Sequence, residues 1–156
     1  MEKIFIGKFV KTHGIKGEIK VRSNFKYKNK VFKEGFKVYI SDQEFIINSY
    51  RIHQEYDMLT FKGIENINDI FPYKGSDIYI NKEDLKLENN EFLDSDLINL
   101  EVYMDSEFKG IVQEINYLNK DKKLLMVSGK LVPFELIKEI NFDEKKIELE
   151  RVDGLL

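Results

Sequence analysis

The two histidines, His13 and His53, are the first residues to consider for chemistry. Imidazole exchanges protons near neutral pH and binds metal ions such as zinc. Neither histidine has a second histidine or a carboxylate at a metal-ligand spacing such as that of HExxH. His13 lies between Thr12 and Gly14, where a turn is expected, and His53 follows a predicted strand. We therefore expect His13 to be a structural turn residue rather than a catalytic base, His53 to be a surface residue, and no metal site.

Other arrangements of residues that carry catalysis are also missing from the sequence. The absence of cysteine excludes disulfides, thiolate metal sites and cysteine nucleophiles. No serine lies in a G-x-S-x-G elbow, and no glycine run forms a GxxxxGKS/T phosphate loop. The pairs Asp94/Asp96 and Glu135/Glu139 could do acid–base work, but a chain with 28 acidic residues produces such pairs by chance. The sequence therefore predicts a protein that is not an enzyme and has no cofactor.

The glycine tetrad at residues 14–17, Gly-Ile-Lys-Gly, has two possible roles. A GxxG loop clamps nucleic-acid backbone in KH domains, where it joins two helices. Here the tetrad is expected to join two strands, which favours a hairpin turn in which Gly14 and Gly17 adopt positive φ. Five basic residues near this turn are candidates for RNA phosphate contacts: Lys8, Lys11, Lys16, Lys20 and Arg22.

Charge is distributed unevenly along the chain. Residues 1–84 hold 15 Lys/Arg and 12 Asp/Glu, a net charge of +3, whereas residues 85–156 hold 10 and 16, a net charge of −6. Residues 1–37 hold 11 basic and 3 acidic residues, a net charge of +8. The asymmetry favours an anionic partner for the first half. A lysine-rich composition is also what an AT-rich genome produces, so charge alone does not decide between the two explanations.

An aromatic and basic segment follows the predicted hairpin. Phe25, Tyr27 and Phe32 alternate with four lysines between residues 26 and 33. Such interleaving can stack and hold single-stranded nucleic acid. It is equally consistent with a loop whose aromatic side chains pack on a barrel while its lysines face water.

Short alternating runs separated by turn residues dominate the first half of the chain. Between the last two predicted strands, residues 64–73 have apolar residues at helical spacing, and Pro72 limits the length of this short helix or turn. Six strands and one helical turn indicate a small closed barrel. The predicted strands are residues 3–11, 18–23, 37–40, 45–52, 58–62 and 77–80.

The second half repeats this pattern. Pro133 is expected at a sheet edge or a bulge, because proline cannot donate to a central ladder. Turns are expected at residues 105–107, 119–121 and 143–145. The predicted strands are residues 100–104, 108–118, 124–127, 131–134, 137–142 and 146–149.

The domain prediction is therefore an all-β protein with two small β-barrels in tandem. The polar, charged segment 85–93 is interpreted as a linker between domains 1–84 and 94–156. The N-terminus lacks the apolar run of a signal peptide. No segment approaches the roughly 20 apolar residues needed to span a bilayer. We expect a cytoplasmic protein with no membrane association.

Three segments, in order along the chain, resemble the ribosome maturation factor RimM family. Residues 6–21, IGKFVKTHGIKGEIKV, resemble the opening strand, HGI-x-GE turn and second strand of that family. Residues 91–102, EFLDSDLINLEV, resemble its entry to the PRC-barrel domain. The VPF run at 132–134 and the terminal DGLL are similar to its IPF and GLL motifs.

The resemblance implies a translation-factor-like N-terminal barrel and a C-terminal PRC barrel. It also implies a factor that binds the head of the immature small ribosomal subunit and promotes processing of its RNA. With no catalytic arrangement in the sequence, we expect this factor to be non-catalytic, and we expect it to be a monomer. The implied protein partner is head protein nineteen in the bacterial small-subunit numbering, contacted through a tandem aromatic pair. That pair maps to Phe92 and Leu93, of which Leu93 is not aromatic, and Asn99 replaces a usual glycine. The alternatives are an RNA-modifying or processing enzyme and a PRC-barrel adaptor unrelated to ribosomes.

Overall fold

The computed structural model describes residues 2–119 and 121–156, and nearly all of its regular structure is β. The chain divides into two compact units, Met1–Lys86 and Leu87–Leu156. The assignment of residues 85–93 as a separate linker stays a prediction.

The first unit is a closed barrel in which neighbouring strands are antiparallel. Closure leaves no sheet edge exposed to another chain. The hydrogen-bonded order is β1-β2-β5-β4-β3-β6. Its strands are β1 (Lys3–His13), β2 (Glu18–Arg22), β3 (Lys37–Ile40), β4 (Gln43–His53), β5 (Tyr56–Phe61) and β6 (Asp77–Asn81).

Alternation of apolar and polar residues builds the wall of this barrel. On β2, Ile19 and Val21 are fully buried while Arg22 is exposed, because successive side chains of a strand point to opposite faces. The core of the first unit includes the buried residues Ile6, Phe9, Val38, Ile40, Ile47, Leu59, Phe61, Ile78 and Ile80. The six strands predicted for this half are therefore confirmed, with ends that differ by at most two residues.

Helical structure in the first unit differs from the prediction. A four-residue helix, α1 (Lys28–Val31), was not expected; it is shorter than any window in which a helical period can be read. The segment 64–73, predicted as one short helix or turn, forms two 3₁₀ helices, Ile67–Asp69 and Phe71–Tyr73. Pro72 lies in the first turn of the second 3₁₀ helix, where its missing N–H is tolerated, but it cannot donate the hydrogen bond that would continue the first helix through this position. A further 3₁₀ helix spans Lys82–Asp84.

The second unit is one six-stranded sheet in the order β10-β9-β8-β7-β12-β11. All its neighbours are antiparallel except β12 and β7, which are parallel. Its strands are β7 (Glu101–Met104), β8 (Glu107–Asn119), β9 (Lys122–Val127), β10 (Lys130–Pro133), β11 (Ile137–Asn141) and β12 (Lys146–Leu149). 3₁₀ helices span Asp94–Leu97 and Phe134–Leu136.

The predicted all-β class is confirmed for both units. Pro133 ends β10, which lies at the edge of the sheet as expected. Closure of this sheet into a PRC barrel stays a prediction, as does the turn at 119–121, because Lys120 lies outside the described residues. The core of this unit contains Leu97, Leu100, Val102, Val112, Leu125, Val127, Val132, Ile147 and Leu149.

Both histidines lie in strands, which corrects their predicted positions. His13 is the last residue of β1 and lies opposite Glu18, so only Gly14 and Gly17 of the three predicted turn residues are in the turn. His53 is the last residue of β4, opposite Tyr56, and is half-buried. The β1–β2 ladder extends to the His13–Glu18 pair, although the polar residues around the turn led us to expect that His13 lies in the turn. No helix within residues 2–119 and 121–156 has the length and apolar character to cross a membrane.

Candidate nucleic-acid interface

The β1–β2 hairpin brings four of the five predicted RNA-binding residues together. Lys8 lies opposite Arg22, and Lys11 lies opposite Lys20, so all four point to one face of the ladder. We call these four residues the basic face. Like charges in directly opposite positions of an antiparallel pair repel one another and oppose folding. Within residues 2–119 and 121–156, none of the four forms an ion pair with a carboxylate.

Tyr56 on β5 organises one side of the basic face. The Lys20 Nζ lies 5.1 Å from the centroid of its ring, and the Arg22 guanidinium carbon lies 5.6 Å from it. Arg22 Nη2 also donates a hydrogen bond to the Tyr56 hydroxyl over 3.3 Å. The two distances to the ring centroid lie within the range of cation–π attraction, so the Tyr56 ring contacts both cations. Sequence reasoning missed Tyr56, because only the pairing of β2 with β5 brings it here.

A polar cluster of Glu18, Arg51 and the two histidines continues this face of the barrel. Arg51 donates two hydrogen bonds to the Glu18 carboxylate, at 2.8 and 2.7 Å. The imidazole centroids of His13 and His53 lie 5.3 Å apart, with their planes inclined by 52°. The hydrogen bond from Arg51 holds the pKa of Glu18 below its ordinary value of 4.5, and the charges of Arg51 and the histidines act in the same direction. Sequence alone could not pair residues 40 positions apart.

The turn at residues 14–17 joins two strands, which excludes the KH-type interpretation of its glycines. Gly14 and Gly17 have φ of 73° and 98°, as the hairpin interpretation predicts. At Gly17 a side chain would also meet Ile64, since an added Cβ would lie 2.8 Å from its Cγ2. Lys16, the fifth predicted RNA-binding residue, is exposed in this turn.

The aromatic segment after the hairpin is part of the packed structure. Tyr27 and Phe32 are buried, with 6% and 3% of their surface exposed. The ring of Phe32 lies 5.5 Å from that of Tyr50, and the half-buried Phe25 lies 6.1 Å from Tyr27. Buried rings cannot stack on bases, so of the two interpretations the packing one applies to Tyr27 and Phe32.

Phe92 and Leu93, the predicted contact for a ribosomal protein, differ in their surroundings. Both are half-buried. Phe92 packs against the core of the second unit, and its ring lies 5.8 Å from that of Phe142. The Leu93 amide donates to Asp96 Oδ2 over 3.0 Å, which fixes the start of the 3₁₀ helix. Phe92 therefore has a packing role whether or not it also meets a partner.

Asp94, a member of one of the acidic pairs attributed to chance, lies in a network of contacts. Its carboxylate accepts a hydrogen bond from the Tyr117 hydroxyl and forms an ion pair with the Lys123 Nζ at 3.0 Å. The Lys123 Nζ lies 5.0 Å from the Phe134 centroid. Asp94 thus has structural partners, and the acid–base interpretation gains no support from its surroundings. Among residues 2–119 and 121–156, no group of three or more His, Asp and Glu side chains is arranged to hold a metal ion.

Comparison with known proteins identifies relatives over the whole chain. The family model described as the RimM N-terminal domain matches residues 4–85. Curated proteins called ribosome maturation factor RimM, from Staphylococcus aureus strains JH9 and Newman, are each 39% identical over 165 aligned residues, covering 99% of both chains.

Two solved structures are also similar. A 16S ribosomal RNA processing protein RimM from Pseudomonas aeruginosa has 17% identity and a TM-score of 0.42, covering 97% of this chain and 98% of that one. The N-terminal domain of RimM from Thermus thermophilus has 18% identity and a TM-score of 0.49, covering 56% and 98%. Since both scores lie below 0.5, family membership rests on the sequence matches.

Proposed function

The chain belongs to the RimM family, and on that premise we propose that it is a non-catalytic factor for maturation of the small ribosomal subunit. The observation that carries the proposal is the likeness, over nearly the whole chain, to proteins called ribosome maturation factors. The chain would bind the head of the immature subunit, hold a head protein and nearby RNA in a productive arrangement, and promote RNA processing. We expect it to act in the cytoplasm as a monomer.

The basic face supports contact with ribosomal RNA. Lys8, Lys11, Lys20 and Arg22 form two like-charged cross-strand pairs that lack carboxylate partners among the described residues. Phosphates bound across these pairs would relieve the repulsion between the like charges. Binding of an anionic partner is therefore more favourable here than on a strand pair whose opposite residues carry opposite charges. The exposed Lys16 in the adjoining turn extends the positive charge.

The second unit is the proposed site for the ribosomal protein. Residues 85–156 carry a net charge of −6, which complements a basic protein such as head protein nineteen. By its resemblance to the family, the contact would centre on Phe92 and Leu93. With Phe92 packed on the core, Leu93 would contribute apolar contact without a hydroxyl.

The decisive experiment is sedimentation of the full chain with immature small subunits through sucrose gradients at several salt concentrations. We expect co-sedimentation that weakens as salt increases, because phosphate contacts release counterions. The Lys20→Gln/Arg22→Gln variant should bind less tightly, whereas Lys130→Gln/Lys138→Gln, which removes two exposed charges from the second unit, should bind like the parent. Failure of the parent chain to associate even at low salt would refute the proposal.

A pull-down with purified head protein nineteen tests the assignment of partners to units. Leu93→Asp should lose the protein while keeping RNA-dependent binding, and Lys20→Gln/Arg22→Gln should do the opposite. If only the basic-face variant lost the ribosomal protein, the assignment would be reversed. Cleavage or modification of precursor RNA by the purified chain alone would favour the enzyme alternative.

A further inference from the structure

The imidazole pair lies beside the cations of the basic face on the same barrel. His13 ends β1 and His53 ends β4, yet their centroids are 5.3 Å apart. His13 lies opposite Glu18, two residues along β2 from Lys20, and His53 lies opposite Tyr56, whose ring holds Lys20 and Arg22. The two rings are half-buried, so part of each remains in contact with solvent.

The carboxylate beside these rings is already engaged. Glu18 accepts two hydrogen bonds from Arg51, at 2.8 and 2.7 Å, and its side chain is only 17% exposed. A free carboxylate here would repel a polyanion. Because its charge is compensated by a guanidinium, the cluster offers aromatic surface next to positive charge without a strong local repulsion.

We propose that the His13–His53 pair is a stacking site for an unpaired base of RNA whose phosphates lie on the basic face. Bases stack on aromatic side chains, including histidine, only where they are not already paired and stacked in a duplex. The inclined imidazole planes and the adjacent Lys20 and Arg22 provide the two contacts that single-stranded RNA requires: a surface for the base and cations for its backbone. This inference rests on the RNA-binding part of the proposed function, and it specifies unpaired RNA as the ligand.

Fluorescence anisotropy with three labelled RNAs tests the site. The probes are an unstructured single-stranded oligonucleotide, the same oligonucleotide with abasic positions, and its duplex, each titrated with the full chain at several salt concentrations. His13→Ala/His53→Ala should bind the single strand about tenfold more weakly, the scale of one lost base–aromatic stack. Its binding to the abasic strand and the duplex should change less than about twofold, since cation contacts remain.

Two further variants separate stacking from charge and from misfolding. His13→Phe/His53→Phe keeps aromatic surface and should retain most of the single-strand affinity, which a role through imidazole charge does not predict. Lys20→Gln should weaken all three RNAs and lower the salt dependence. Circular dichroism of each variant checks that it is folded.

The outcomes distinguish this inference from the proposed function. Equal weakening of all three probes by the alanine pair, or no weakening of the single strand, overturns the stacking site. If the alanine pair still sediments with immature subunits, the proposed function survives that loss. If the parent chain binds oligonucleotides as expected but never associates with immature subunits, the stacking site survives and the proposed function fails.

Discussion

The hydroxyl of Tyr117 donates a hydrogen bond to Oδ2 of Asp94 across 2.9 Å and 23 residues of sequence. Asp94 directly follows Leu93, and Lys123 approaches both of its carboxylate oxygens at 3.1 and 3.0 Å. The contact ties the long strand β8 to the segment proposed to meet a ribosomal protein. Tyr117 as a residue stays 60% exposed, so an exposed aromatic residue contacts Asp94, the residue that follows Leu93.

The Tyr117 phenol is expected to lose its proton at a higher pH than an ordinary tyrosine does. Although most of the residue is exposed, partial burial of its hydroxyl, followed by the hydrogen bond to Asp94, raises the pKa of Tyr117 from 10.0 to about 12. Because the folded-state pKa lies above the ordinary value, the associated stability is present below pH 10.0 and is lost as pH rises towards 12. Ultraviolet difference titration of the parent chain against Tyr117→Phe isolates this group. In Asp94→Asn the pKa should fall; an unchanged value would mean that Asp94 does not act on the phenol.

Glu18 and Arg51 should make stability depend on acid pH. The pKa of Glu18 is held below 4.5, so the stabilisation is present above that value and is lost as pH falls through the lowered folded-state pKa. Arg51→Met should therefore lower the thermal midpoint at neutral pH and have little effect once Glu18 is protonated. Lys62→Met, which removes an exposed pair of 3.7 Å with Glu34, is the control and should change the midpoint little at any pH. A constant deficit of Arg51→Met across pH would count against the pair.

Asp57 should anchor the short helix to the barrel. This carboxylate is 4% exposed, accepts a hydrogen bond from the Tyr50 hydroxyl over 2.6 Å and pairs with Lys28 of α1 at 2.8 Å. Asp57→Ala should lower the free energy of unfolding by about 2 kcal/mol, since it removes a buried carboxylate that serves as the charged acceptor of the half-buried Tyr50 hydroxyl. Urea denaturation measures the loss. Asp77→Ala, at an exposed position on β6, should cost far less.

Asn99 takes the backbone conformation that the family's glycine would take. Its φ is 72°, in the left-handed region that asparagine tolerates better than alanine does. Asn99→Ala should therefore be less stable than Asn99→Gly by about 1 kcal/mol. At Asn116, within β8, the order should be inverted, because glycine weakens an ordinary strand. Chemical denaturation of the four variants gives their free energies of unfolding. If the alanine variant were more stable than the glycine variant at both positions, residue 99 would carry no backbone strain.

The strands were readable from the sequence because their signal is local. Alternation such as Ile19, Lys20, Val21, Arg22 has the period of a strand, and the glycines of the 14–17 turn have the positive φ that the hairpin needs. Helix α1 was not predicted, and the two 3₁₀ helices after Phe61 were predicted only as one short helix or turn. Segments of three or four residues depend on tertiary contacts such as that of Lys28 with Asp57.

Local sequence patterns were enough to predict the all-β class, the absence of cysteine chemistry, the basic hairpin and, through the motifs, the family. Which distant side chains meet became known only from the three-dimensional fold. The strand order β1-β2-β5-β4 places Tyr56 against Lys20 and Arg22 and brings His13 to His53, and the second sheet carries Tyr117 to Asp94. Such contacts follow from strand pairing and register, which a local pattern does not encode, because many pairings bury the same apolar faces.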